Sequence, residues 1–346
     1  MWGKIKKIFS LKGLWKGRGS PREIAPLQPS PEPTVSSSAK PNLGYQDVLN
    51  DETSTEINGL ESYDITGDKK FFLDITQENV RELTELLLEN DDNNCAKFLK
   101  YNLQERRQGN KDVSKGSLFT EVRPELYDVP TIAALRALHG HFRPMVSEEE
   151  ESSEEKTKRE LDFIESCVNT KVMEIARKWI FSKSRGSIAK AKDKDTFKDF
   201  LHKVWFAPYA RSIRSNGVEG SCAFEHVFLC EESGGAVKGF HNWLFFLEEE
   251  KKGEVNYYGF DKALKLGDRG CVVKSAFQWK DMVKPVSSFL IGLSPELELA
   301  IYTVCAMFSR KNDVQISLAG NTVNVRTHVF YDEENKPSIG TAFVVI

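Results

Sequence analysis

Two of the six histidines, His139, His141, His202, His226, His241 and His328, sit in settings suited to proton transfer. His226 lies in Phe224-Glu225-His226-Val227-Phe228, and His241 follows in Gly239-Phe240-His241-Asn242-Trp243. An imidazole is the side chain whose ordinary pKa lies near neutrality, and burial or a neighbouring charge tunes it. Two such groups can hold opposite protonation states, one taking a proton while the other gives one. Taken singly, each histidine also reads as an ordinary core or surface residue. Read as a strand, the first segment sends Phe224, His226 and Phe228 to one face and Glu225 and Val227 to the other. The second opens after a glycine-containing turn, at the expected start of a helix.

The elements that must position these residues fall into two halves. Residues 76–206 carry helical spacing. Thr76 is a predicted N-cap for a helix whose Val80, Leu83, Leu86 and Leu87 share a face. Thr131 to Phe142 repeats the pattern. Ser147 to Glu155 is an acidic run leading into Leu161, Ile164, Val168, Val172, Ile175, Ala176 and Trp179, which predicts one long amphipathic helix. Its acids suit a solvated helix N-terminus better than a metal site, because they point all round the axis. Phe197, Phe200, Leu201 and Val204 form a further helical face. After Trp205 the period changes. Runs at 224–232, 253–260, 272–279 and 286–293 predict strands, separated by turns such as Gly234-Gly235. Ser294-Pro295-Glu296 opens a helix through Ser309, with serine as N-cap and proline at the first helical position. Strands near 314–318, 321–331 and 338–345 close the chain. Helices first and strands later predict an α+β fold with antiparallel sheets.

The 346 residues carry a net charge of −3, so any positive surface for nucleic acid must be local. Candidates are Lys251, Lys252, Lys262, Lys265 and Lys280, although exposed lysines commonly serve solubility. Neither GxGxxG nor a P-loop occurs, so nucleotide cofactors have no support. The six cysteines form no CxxC pair and read as buried reduced thiols. No apolar run reaches about 18 residues, so no spanning helix is expected.

Residues 1–22 hold seven lysines and arginines and no acid, interleaved with Trp2, Ile5, Ile8, Phe9 and Trp15. Lysines interrupt any secretory core. The segment reads as an amphipathic helix for an anionic membrane surface, as an arginine-poor mitochondrial targeting segment, or as a solvated basic tail that helps hold RNA. An intracellular, cytoplasmic location follows as the expectation. Residues 23–70, rich in proline and serine, read as a disordered linker, which leaves 71–346 as the folded domain.

The two histidine segments, with Glu231 between them, resemble the signature of the EndoU, or poly(U)-specific endoribonuclease, family. The likeness extends upstream to Trp205-Phe206 and Tyr209-Ala210-Arg211. Downstream it takes in Gln278-Trp279, Val283-Lys284, Ile291-Gly292, Ser294-Pro295-Glu296 and Gly340-Thr341-Ala342, and it covers roughly 71–346. The resemblance implies a catalytic trio of His226, His241 and Lys284. Similarity to coronaviral uridylate-specific endoribonucleases implies His241 as general base and His226 as general acid, with Lys284 stabilising the phosphorane. It places Ser288 against the uracil edge and Thr341 and Phe343 in a uridine pocket, where many members have tyrosine in place of Phe343. Cys230 likewise stands where glycine is common. Glu225 and Glu231 match acidic positions of the motif; Glu225 either braces the backbone or lies near a cation. Arg211 is a candidate phosphate contact, with a surface salt bridge as the alternative.

The implied reaction needs no protein nucleophile. The 2'-hydroxyl of RNA attacks the adjacent phosphate and leaves a 2',3'-cyclic phosphate and a 5'-hydroxyl, so DNA is not a substrate. The resemblance further implies activation by Mn2+, although no EF-hand spacing marks a metal cage. Two other functions remain open: a catalytically silent protein that binds U-rich single-stranded RNA, and a membrane-associated scaffold working through residues 1–22.

Overall fold

A computed structural model describes residues 61–62, 71–72, 75–109, 111–150, 152–184, 191–211, 217–308, 313–331 and 337–346. The basic segment 1–22 lies outside the described residues. So does the linker 23–70, except that Glu61–Ser62 (β1) pairs with Phe71–Phe72 (β2).

The helical half contains Gln77–Glu89 (α1), Pro130–Leu138 (α2), Glu154–Val168 (α3), Lys171–Lys183 (α4) and Lys194–Phe206 (α5). Thr76 caps α1 as its sequence position predicts, accepting from the Asn79 amide at 3.1 Å. One expectation fails here. The long helix is two helices, because Thr170 accepts from the Met173 amide and starts α4 anew after Asn169. The acidic run does supply a solvated helix start, with Glu154 and Glu155 exposed in the first turn of α3. Ser153 is the N-cap of α3, and Glu150 turns inward to take a buried Lys156 ammonium and the Arg143 amide. Residues 76–206 also hold a short antiparallel pair, Leu99–Tyr101 (β3) and Phe119–Val122 (β4). Each strand buries one residue, too little for alternation to register.

The second half comprises Ala223–Phe228 (α6), the hairpin Cys230–Ser233 (β5) and Ala236–Gly239 (β6), and Trp243–Lys251 (α7). The antiparallel strands Val255–Lys265 (β7), Cys271–Trp279 (β8) and Met282–Ile291 (β9) follow. Pro295–Phe308 (α8) leads to the antiparallel sheet of Val314–Leu318 (β10), Asn321–Tyr331 (β11) and Pro337–Val345 (β12). The architecture is α+β with antiparallel sheets. Ser294 caps α8, its hydroxyl accepting from the Leu297 amide.

The strand expected at 224–228 is a helix. All six residues of α6 are buried, so no exposed face revealed its period. Aromatic packing holds it in place: Phe224 stacks on Phe206 at 4.5 Å and on Phe228 at 5.2 Å, and Trp205 meets Phe228 edge-on. The six cysteines are buried and unbridged. Among the described residues no helix is long and apolar enough to cross a membrane.

Candidate active site

The site is assembled where the end of α6 meets the turn between β6 and α7. The last carbonyls of a helix have no partner within it. Here the His226 carbonyl accepts from the Phe240 amide at 3.0 Å and the Val227 carbonyl from the His241 amide at 3.1 Å. Fit this close needs a glycine: Gly239 has φ +60°, and a Cβ there would lie 1.8 Å from the His226 oxygen. Phe240 follows at φ +66°, a conformation that costs a non-glycine residue about 1–2 kcal/mol. Asn242 then caps α7, accepting from the Leu244 and Phe245 amides. The two imidazoles stand with ring centroids 6.2 Å apart.

Their surroundings differ. His226 Nδ1 meets Glu231 Oε2 at 2.6 Å. Glu231 also receives Arg211 Nε at 2.9 Å and the Ser221 hydroxyl. Burial pushes the Glu231 carboxyl up, but His226, Arg211 and Ser221 outweigh it and hold it below the usual range. Burial lowers the His226 pKa, and the bond to Glu231 opposes that fall by favouring the imidazolium.

His241 has no carboxylate partner among the described residues. Its Nδ1 lies 3.1 Å from Ser287 Oγ, whose single proton goes to the Phe240 carbonyl at 2.7 Å. The Ser287 oxygen therefore accepts from Nδ1–H, which leaves a lone pair on Nε2. Burial, and then the charges of Lys284 and His226, drive the His241 pKa well down, while the Ser288 backbone opposes them. Phe343 stacks on the His241 ring at 4.7 Å, 13° from parallel.

Lys284 reaches the same place from β9. Its ammonium donates to the Val237 carbonyl at 3.3 Å, and burial, followed by Lys238, brings its pKa to about 8. A regular strand would send Lys284 and Ser287 to opposite faces. An extra residue at Pro285–Val286, opposite Ala276 of β8, shifts the phase so that both serve the histidines. Proline inside the run was the one sign of this bulge. The family resemblance pointed to Ser288, and Ser287 was not singled out. The Ser288 hydroxyl donates to the Val344 carbonyl. Thr341 is buried in β12, with its hydroxyl unpartnered among the described residues.

Arg211 faces inward. It binds Glu231, Ser221, the Tyr209 hydroxyl at 2.7 Å and the Gly340 carbonyl at 2.9 Å. It is neither a surface bridge nor free for phosphate, and it ties the His226 support to the strand carrying Thr341 and Phe343. Tyr209 and Ser221, which the sequence reading did not single out, complete this network. Glu225 points away from solvent with both oxygens unpartnered among the described residues, and burial, reinforced by Glu231 and Glu150, holds its carboxyl well above the usual range.

The donors around Glu225 do not fit a resident manganese ion. Glu231 is committed to His226, Arg211 and Ser221, and Glu150 to Lys156. Among the described residues no group of three or more His, Cys, Asp or Glu converges to hold an ion. Lys251, Lys252, Lys262, Lys265 and Lys280 are exposed.

The pattern of the family described as Endoribonuclease XendoU matches residues 79–344. The chain is 30% identical over 283 residues to Uridylate-specific endoribonuclease B of Danio rerio, covering 78% of this chain and 97% of the relative. It is 31% identical over 281 residues to a human Uridylate-specific endoribonuclease, covering 78% of this chain and 66% of the human protein. The solved structure of XendoU, described as a splicing independent snoRNA processing endoribonuclease, superposes with a TM-score of 0.62 at 28% identity, over 77% of this chain and 96% of that one. By this family pattern, these relatives and its α+β architecture, the chain belongs to the XendoU family of endoribonucleases.

Proposed function

We propose that this protein cleaves single-stranded RNA at uridylates by transesterification through the 2'-hydroxyl. His241 Nε2 takes the 2'-hydroxyl proton, the alkoxide attacks phosphorus, and the P–O5' bond breaks as protonated His226 gives its proton to the leaving oxygen. Lys284 sits by the nonbridging oxygens, where developing negative charge makes an ammonium worth a few kcal/mol or more in a water-poor site. The products are a 2',3'-cyclic phosphate and a 5'-hydroxyl.

The contrast between the two imidazoles carries this reading. His226 has a carboxylate behind Nδ1 that supports its charged form, and His241 has a serine hydroxyl that leaves Nε2 free as a base. The Thr341 hydroxyl and the Phe343 ring supply a hydrogen-bonding group and a stacking face for uracil, with Phe343 turning off His241 as the base enters. Mn2+ is assigned to the RNA phosphates and not to a protein cage.

The test is incubation of the purified protein with U-containing and U-free oligoribonucleotides, with Mn2+ and with chelator. Cyclic phosphate ends at uridines are expected, lost in His226→Ala and His241→Ala. Full cutting by either variant overturns the assignment, and RNA binding without cutting by the wild type marks a silent binder.

A further inference from the structure

The sheet β7-β8-β9 is irregular at one level. Asp261 is an extra residue in β7, between the pairs Phe260↔Ser275 and Lys262↔Lys274. At the same level Pro285–Val286 are opposed in β8 by Ala276 alone. Bulges of this kind take a carbonyl out of the ladder and turn a side chain aside. One guanidinium joins the two. Arg107 binds Asp261 in a fork, Nε to Oδ1 at 3.1 Å and Nη2 to Oδ2 at 2.9 Å, and Nη2 also donates to the Pro285 carbonyl at 3.2 Å. The Arg107 side chain is 4% exposed, so this is not a surface ion pair.

The backbone around Arg107 is fixed to the same edge. Its amide donates to the Phe260 carbonyl at 2.7 Å, and Arg106 forms a parallel bridge with Phe260. Gly259, at φ +103°, admits the crossing segment; a Cβ there would lie 2.8 Å from the Glu105 carbonyl oxygen and 3.2 Å from Arg107 Cγ. A segment far upstream of the histidines is thus locked on β7 with one side chain extended to β9. Its contact there is the carbonyl of Pro285, the residue after Lys284.

We propose that Arg107, held by Asp261, is a positioning residue for Lys284, fixing the bulged peptide from which the ammonium reaches the scissile phosphate. The inference rests on the proposed role of Lys284. Arg107 touches no reacting atom. Its effect is on transition-state geometry, where a displacement of about 1 Å can cost about 100-fold. Lysine cannot replace it, because only the planar fork spans both acceptors.

The test is steady-state cleavage of an oligoribonucleotide with one uridine by Arg107→Met, Arg107→Lys, Lys284→Ala and Arg107→Met in the Lys284→Ala background. Arg107→Met and Arg107→Lys are expected to lower kcat about tenfold with KM within about twofold. Arg107→Met should cost less than about twofold once Lys284 is gone, since coupled residues do not add. Arg107→Lys retains the ion pair with Asp261 and serves if Arg107→Met does not fold. Wild-type kcat in both single variants, or an undiminished loss in the Lys284→Ala background, overturns the inference. Wild-type cutting by Lys284→Ala overturns instead the role of Lys284 on which it stands.

Discussion

Gly239 and His226 are in backbone contact: the Phe240 amide donates to the His226 carbonyl, and a Cβ on Gly239 would fall 1.8 Å from that oxygen. This contact sets the spacing of the two imidazoles, because the next amide, that of His241, binds the Val227 carbonyl. Gly239→Ala adds both a clash with backbone and a side chain at positive φ. The expected result is a loss of more than about 2 kcal/mol of stability, with cleavage down at least about 100-fold even where the variant remains folded. Thermal melts and single-turnover cleavage below the melting range check it. An alanine variant with the wild-type rate would show that the turn does not set the geometry.

The histidine pair was legible in the sequence, but the way it is held was not. Residue type and local setting singled out His226 and His241, because segments such as Gly239-Phe240-His241-Asn242-Trp243 carry their own turn and cap, whereas Lys284 entered only through the family resemblance. The strand assigned to 224–228 was wrong, because a fully buried single-turn-and-a-half helix shows neither a period of 2 nor a period of 3.6. Ser287 carried no readable signal for a related reason. A one-residue bulge inverts every inference from alternation beyond it, and only Pro285 hinted at one. Arg211 was read as a surface or phosphate group because sequence does not reveal that Glu231, Tyr209 and Gly340 converge on it.

Glu231 supports the charged form of His226, and this fixes the sign of a pH effect. An acid acts only while protonated, so activity falls as pH rises through the His226 pKa. Burial already lowers that pKa, Glu231 raises it, and Arg211 and Lys284 lower it further. In Glu231→Gln the falling limb moves to lower pH, and kcat at pH 7.5 drops about 100-fold, the scale of general acid catalysis. The loss narrows toward acid pH, until His241 is itself protonated. A kcat–pH profile checks this; a uniform loss at every pH would assign Glu231 to scaffolding alone.

Ser287 fixes which nitrogen of His241 carries the proton. Without its oxygen, the Nδ1–H tautomer loses its partner and Nε2 is a free base for less of the time. Ser287→Ala is expected to lower kcat about tenfold and to leave KM within about twofold, since substrate contacts are untouched. NMR of the His241 ring nitrogens should show a mixture of tautomers in the variant and one form in the wild type. An unchanged tautomer would mean that another group holds the ring.

Behind the site, Asn242 joins the turn at His241 to a buried acid on α8, its side-chain amide donating to Glu298 Oε1 at 3.4 Å. Glu298 is fully buried with Oε2 unpartnered among the described residues. Burial raises its pKa well above the ordinary 4.5, the bond from Asn242 opposes that rise, and Asp91 adds to it. A carboxyl raised in the folded state contributes stability that is complete below its unfolded pKa, near 4.5, and is lost as pH rises through the folded value. Glutamine can accept from Asn242 in the same place but has no proton to lose. Glu298→Gln should therefore match the wild type at pH 4.5 and gain on it as pH rises. A Tm advantage of about 2–4 °C at pH 8 corresponds to about 1 kcal/mol in a large domain. Melting curves from pH 4.5 to 8 check the trend. A Tm difference independent of pH would mean that Glu298 is ionised in the fold, and the polar link behind His241 would then be an ion–dipole contact instead of a bond between neutral groups.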